Sequence, residues 1–153
     1  MARILIIGYG NPLRGDDGFG WHAAQRLRET VRDSDVEILT VQQLTPELMD
    51  PISRAAKAIF LDAAATGEPG HLSVTPVDPA VMGPASFTHF ATPAGLLAGA
   101  RALYGSETAG VLVSVAGADF SLGAELSEAV LRATEELLDL AVRDGCWVLA
   151  HPA

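Results

Sequence analysis

The 153-residue chain contains one cysteine, Cys146, so no disulfide can form within it. That thiol lies in the apolar tail Cys146-Trp147-Val148-Leu149, which reads as a buried structural position and suits a reducing cytoplasm. Basic residues are scarce: 10 Lys and Arg stand against 19 Asp and Glu, a net charge of −9. Nucleic acid demands clustered Lys and Arg to neutralise phosphate, and an anionic membrane surface demands the same, so neither partner is expected. No apolar run reaches the roughly 18 residues needed to cross a bilayer. The chain enters a strand without a basic leader or cleavage site, so no signal peptide is expected. Two motifs are also missing. No Gly-x-x-x-x-Gly-Lys-Ser/Thr phosphate loop occurs, and no Gly-x-Ser-x-Gly elbow surrounds Ser73, Ser86, Ser114 or Ser121, which leaves serine catalysis unsupported.

What is present is a chain that is 49% hydrophobic and 19% charged, the composition of a compact fold. Its length fits one domain spanning residues 1–153. Arg3–Ile7, Val36–Val41, Ala58–Leu61 and Val111–Ala116 read as buried strands, being short β-branched and aliphatic runs. Helical patterns cover Gly20–Val31, Pro46–Ser53, Pro93–Tyr104 and Glu128–Val142. Thr45-Pro46 and Thr92-Pro93 each place an N-cap residue before a proline at the first helical position, and Ser127 reads as the N-cap of the last helix. In the third helix Leu96, Ala100, Leu103 and Tyr104 recur at helical spacing before Gly105; in the last, Val130, Thr134, Leu137, Leu138 and Ala141 point inward. His71–Val77 alternates like an edge strand, possible in antiparallel sense, and leads into a proline-rich loop ending at His89. Alternating strands and helices predict an α/β fold: one mainly parallel twisted sheet of about five strands with helices on both faces.

The densest signal is Gly8-Tyr9-Gly10-Asn11-Pro12-Leu13-Arg14-Gly15-Asp16-Asp17-Gly18-Phe19-Gly20, between the first strand and the first helix. Such a turn ordinarily receives an anion on bare N–H groups and a helix N-terminus. Here Leu13 replaces the third glycine of a dinucleotide fingerprint, and two carboxylates occupy the anion's place. Two carboxylates about 4 Å apart repel by roughly 4 kcal/mol at an effective dielectric near 20, whereas a helix N-terminus returns only about 0.3–1 kcal/mol per charge. Converging acids would therefore need a metal, a proton or Arg14. Capping of the following helix by Asp16 or Asp17 is the plainer reading.

In open parallel sheets the active crevice lies beyond the carboxyl ends of the strands. Asp17 follows the first strand and Asp62 ends the run Ala58–Leu61, so the two face one crevice if their strands are neighbours. An acid at a strand end also serves simply to begin a turn, so both readings stand. With His89 these acids offer two oxygens and one nitrogen with positions left open, a donor set suited to zinc or nickel. His22, His71 and His151 read as surface or structural residues.

The ordered blocks of this chain resemble one family. Ile6–Gly20, Gln43-Leu44-Thr45-Pro46-Glu47-Leu48, Phe60-Leu61-Asp62-Ala63, Thr88-His89-Phe90-Ala91-Thr92-Pro93, Leu103-Tyr104-Gly105 and Gly117–Ser127 are similar to the hydrogenase maturation endopeptidases. These trim the C-terminus of the large subunit of nickel–iron hydrogenases. The resemblance spans nearly the whole chain and implies that Asp17, Asp62 and His89 are the metal-binding and catalytic residues. Some members carry glutamate at the position of Asp17; Asp16 also matches a family acid, and we assign it a supporting role at most. It further implies an endopeptidase whose nickel is supplied by its substrate, the hydrogenase large-subunit precursor, with zinc or cadmium able to substitute in vitro. Nothing in it requires more than a monomer. A non-cleaving partner that checks the precursor for nickel would use the same trio, and a nucleotide binder using the glycine loop is the remaining alternative.

Overall fold

The computed structural model describes residues 3–79 and 91–143. Five strands form one sheet: β1 (Ile4–Tyr9), β2 (Val36–Val41), β3 (Lys57–Ala64), β4 (Leu72–Val77) and β5 (Ala109–Ala116), in the order β2-β1-β3-β5-β4. All neighbours run parallel except β4, which pairs antiparallel with β5 at the edge. The alternation of His71–Val77 is thus an edge strand. Pro76 is tolerated there because an edge strand has a side with no ladder to feed. The helices are α1 (Phe19–Thr30), α2 (Met49–Ser53), α3 (Pro93–Tyr104) and α4 (Glu128–Arg143). The segment expected as one helix from Pro46 divides into a 3-10 turn, Pro46–Leu48, and α2.

Period-two side chains divide the core. Ile4, Ile6, Ile59, Leu61, Val113 and Val115 face α1 and α4, whereas Leu5, Ile7, Ala58 and Phe60 face the other way, toward α2 and α3. Both faces of a parallel sheet are covered, and each fully buried aliphatic or aromatic side chain contributes about 1.5–3 kcal/mol. On α1, Phe19, Ala23, Ala24 and Leu27 form the buried stripe. On α4 the residues that the spacing predicts to point inward are all buried, and Ala133 joins them.

Two local expectations need correction. Thr92 does cap α3, its Oγ1 accepting from Gly95 N at 3.0 Å. Thr45 makes no such bond; its hydroxyl instead donates to Glu47 Oε2 at 3.2 Å. A tight 3-10 turn does not bring the expected N–H to the cap oxygen. On α3 the buried set is Leu96, Leu97, Ala98 and Ala100, while Leu103 and Tyr104 are exposed, because the last turn runs past the core. Gly105 closes that helix at φ 68°, the left-handed conformation glycine adopts without strain. Cys146, His151, Pro84 and the end of the proline-rich loop at His89 lie outside the described residues.

Candidate active site

From β1, which lies between β2 and β3, the chain passes to β2 on one side and then crosses to β3 on the other. That reversal puts the switch point of the sheet between the carboxyl ends of β1 and β3, where open α/β sheets hold their ligands. Asp17 and Asp62 stand on either side of it. β1 ends at Tyr9, and β3 continues, pairing Asp62 with Ser114 of β5.

The glycines of the signature serve close packing rather than a phosphate. A Cβ on Gly8 would strike the Gly20 carbonyl oxygen, and a Cβ on Gly20 would strike the carbonyls of Leu61 and Tyr9. The first turn of α1 therefore rests directly on the ends of β1 and β3. Gly10, at φ 139°, turns the chain out of β1 against the Asp17 backbone.

The two adjacent acids diverge. Asp16 is fully buried, and its carboxylate accepts from Ala118 N at 2.7 Å, Asp119 N at 3.1 Å and Ser127 N at 2.7 Å. Burial alone would raise its pKa, but the N–H groups of Ser127, Ala118 and Asp119 outweigh burial and hold it below the usual carboxylate value. Its compensation is main-chain N–H, in place of a metal, a proton or Arg14. Asp17 is half-buried, and its Oδ2 accepts from Asn11 N at 2.8 Å. Neither acid caps α1: its N-cap is Gly18, with no side-chain cap bond. Ser127 does stand at the head of α4, its Oγ accepting from Val130 N at 3.4 Å.

Asp62 has a partner that the sequence reading missed. Continuing the register of Gly8 with Leu61 by one step sets Tyr9 beside Asp62 on the same face of the sheet, and the Tyr9 hydroxyl donates to the Asp62 carboxylate. Burial pushes Asp62 up, the Tyr9 and Ala63 donors partly offset that, and the charge of Asp17 raises it further. Burial, then the Asp62 charge and the shared hydrogen bond, raise the Tyr9 phenol in turn. The signal was present in the period-two pattern of Leu5, Ile7 and Tyr9.

Asp17 and Asp62 are thus brought to one crevice, close enough for one charge to act on the other. His89 lies outside the described residues, and among the described residues no group of three His, Cys, Asp or Glu side chains could hold a metal. His22, half-buried on α1, has its pKa lowered by burial. It lines a groove of about 500 Å³ with Pro12, Leu13, Glu125, Leu126 and Leu131. A cavity of about 540 Å³ opens at the amino ends of β1 and β2, beside Arg3, Asp33 and Ala141, opposite the end where open α/β sheets hold their ligands.

The fold is similar to those of solved structures. The nickel–iron hydrogenase maturation protease HycI from Thermococcus kodakarensis KOD1 is 30% identical, over 94% of this chain and 92% of that one, with a TM-score of 0.76. This chain belongs to the nickel–iron hydrogenase maturation protease family. The hydrogenase 2 maturation peptidase of a Thaumarchaeota archaeon is 26% identical, over 93% of this chain and 97% of that one, with a TM-score of 0.66. The hydrogenase maturating endopeptidase HybD from E. coli, 22% identical over 94% of each chain with a TM-score of 0.71, shares the fold. No protein-family model matches the chain, and no curated protein sequence does. The order of five strands and four helices is that of the maturation protease fold, and no helix among the described residues is long and apolar enough to cross a membrane.

Proposed function

We propose that this family member is an endopeptidase that removes the C-terminal peptide of a nickel-loaded hydrogenase large-subunit precursor. On this reading Asp17, Asp62 and His89 complete the coordination of nickel that belongs to the substrate. The observation that carries it is the pairing of Asp17 and Asp62 across the switch point, in a chain 30% identical to a nickel–iron hydrogenase maturation protease. Two carboxylates and an imidazole leave coordination positions for a peptide carbonyl and water. A bound metal polarises a carbonyl or lowers the pKa of water, on zinc from 15.7 to about 7.

No general base separate from the trio is evident, and Asp62 is the natural one. Burial and the neighbouring charge hold it above an ordinary carboxylate, which brings its proton affinity nearer the working range. Tyr9 keeps the carboxylate oriented, as outer hydrogen bonds do for metal-facing groups. The acidic surface calls for a precursor face with basic character and an association that weakens with salt. The reading places the protein in the cytoplasm, where its substrate would be assembled, and works for a monomer.

Intact mass of the precursor, nickel-loaded and nickel-free, tests this after incubation with the protein. Loss of a C-terminal peptide from the loaded form alone is the expected result, and Asp62→Ala and His89→Ala should abolish it. Binding with unchanged mass would identify a non-cleaving partner that checks for nickel. Full processing by either variant would remove that residue from the site.

A further inference from the structure

We propose that Asp16 is a positioning residue for Asp17, locking the signature loop onto the loop between β5 and α4. The inference rests on the reading of Asp17 as a metal-facing group. The two loops are far apart in sequence yet share a continuous set of bonds. Besides the N–H groups of Ala118, Asp119 and Ser127 that its carboxylate accepts, Asp16 donates its own N–H to Asp119 O at 2.8 Å. Gly15 N donates to Ala124 O at 3.2 Å, and Gly123 N donates to Leu13 O at 2.7 Å. Glycine at 117 permits the approach, since a Cβ there would sit 2.9 Å from Asp16 Cβ and 2.5 Å from Phe120 Cζ.

An ionised carboxylate suits this place because it only accepts, and every group around it donates. Asn at 16 would keep the shape but turn an NH₂ toward an N–H donor, leaving one buried donor unmet. Asp17 is the next residue of the same 3-10 turn, Gly15–Gly18. With the Asp16 backbone N–H and side chain held, and Asp17 N donating to Arg14 O at 3.1 Å, little freedom is left to the Asp17 Cα. Release of the lock frees the turn and, with it, the direction of the Asp17 carboxylate toward Asp62.

Zinc ion is the probe. Its affinity is measured by calorimetric titration for the wild-type protein, Asp17→Ala, Asp16→Asn and Gly117→Ala, and kcat and KM are measured on the nickel-loaded precursor. Amide exchange of Ala118, Asp119 and Ser127 is followed in the wild-type protein with and without zinc. The expected result is a 10–100-fold weaker zinc affinity in Asp16→Asn, the range for loss of an outer-shell support. Its kcat should fall with KM for the precursor unchanged. Gly117→Ala, which pushes on Asp16 without altering it, should move the same way. Zinc should raise protection of the three amides, because coupling between the loops is reciprocal. Wild-type zinc affinity and kcat in folded Asp16→Asn, or in Gly117→Ala should the first not fold, would overturn the inference. So would amide exchange indifferent to zinc. Zinc affinity that survives in Asp17→Ala would instead overturn the ligand reading itself.

Discussion

Gly20→Ala isolates what the signature glycines do. In the observed packing a Cβ at this position would lie 2.5 Å from the Tyr9 carbonyl oxygen and 2.8 Å from the Tyr9 nitrogen, and closer still to the Leu61 carbonyl oxygen. Ordinary carbon contacts begin near 3.5 Å, so α1 must retreat by about 1 Å from the ends of β1 and β3. The obstructing atoms are backbone, which cannot rotate aside. Overpacking of this kind costs about 1–3 kcal/mol, against a return of at most about 1 kcal/mol from replacing glycine by alanine in a helix. The net is destabilising, and each kcal/mol lowers Tm by about 2–4 °C in a domain of this size. The larger consequence is catalytic. Gly20 follows the turn carrying Asp17, and a misplacement of about 1 Å can cost about 100-fold in rate. Calorimetry and precursor mass after timed incubation measure both effects, with Gln25→Ala on the exposed side of α1 expected within about 0.5 kcal/mol of wild type. A Gly20→Ala protein with wild-type or higher Tm and undiminished processing would refute the close-packing account.

Acid sensitivity should be traced partly to Asp16. Its folded pKa is depressed, so its stabilisation is present above the ordinary carboxylate pKa near 3.9 and is lost as pH falls through the lower folded value. Urea midpoints across that acid range should fall less steeply in Asp16→Asn than in wild type; equal slopes would exclude the contribution. Tyr9→Phe removes a donor to ionised Asp62, which raises that carboxyl further, so the acid limb of zinc binding should move to higher pH. An unmoved limb would show that the phenol does not support the charge. Thr92→Ala should cost about 0.5–2 kcal/mol through loss of the α3 cap, whereas Thr45→Ala should cost much less, because Thr45 makes only an exposed bond to Glu47. Denaturant midpoints of the two variants compare them directly, and equal losses would contradict the assignment.

The sheet was legible because its signal is local. Val36–Val41 and Pro93–Tyr104 coincide in sequence pattern and structure, and the remaining strands differ only at their ends. β3 extends past its apolar run through Asp62 to Ala64, because pairing with β5 continues where apolar character stops. Asp17 and Asp62 could be brought to one crevice by topology alone. Asp16 could not be read correctly from neighbours in sequence: its partners Ala118, Asp119 and Ser127 lie more than 100 residues away. Local reasoning therefore offered a helix cap, which Gly18 occupies instead. Leu103 and Tyr104 obey helical spacing and still face solvent, since periodicity reports a face but not where the core ends. Tyr9 was overlooked because its meaning depends on the β1–β3 register, not on its own surroundings in the chain.

The divergence of Asp16 and Asp17 resolves the electrostatic difficulty posed by adjacent acids. Had both entered the crevice with Asp62, each close pair would have added roughly 4 kcal/mol of repulsion at about 4 Å. Sending Asp16 into main-chain N–H groups removes one charge from the crevice and uses it to hold the loop. What remains is a pair, Asp17 and Asp62, with Asp62 raised by burial and by its neighbour and only partly relieved by Tyr9 and Ala63. A divalent cation reverses both penalties at once, because it supplies opposite charge where water has been excluded. On the proposed reading, the metal-free crevice is therefore the less favourable state, and a precursor lacking nickel leaves it so. Preference for the loaded precursor would then arise from the carboxylate pair itself, without a separate sensing element.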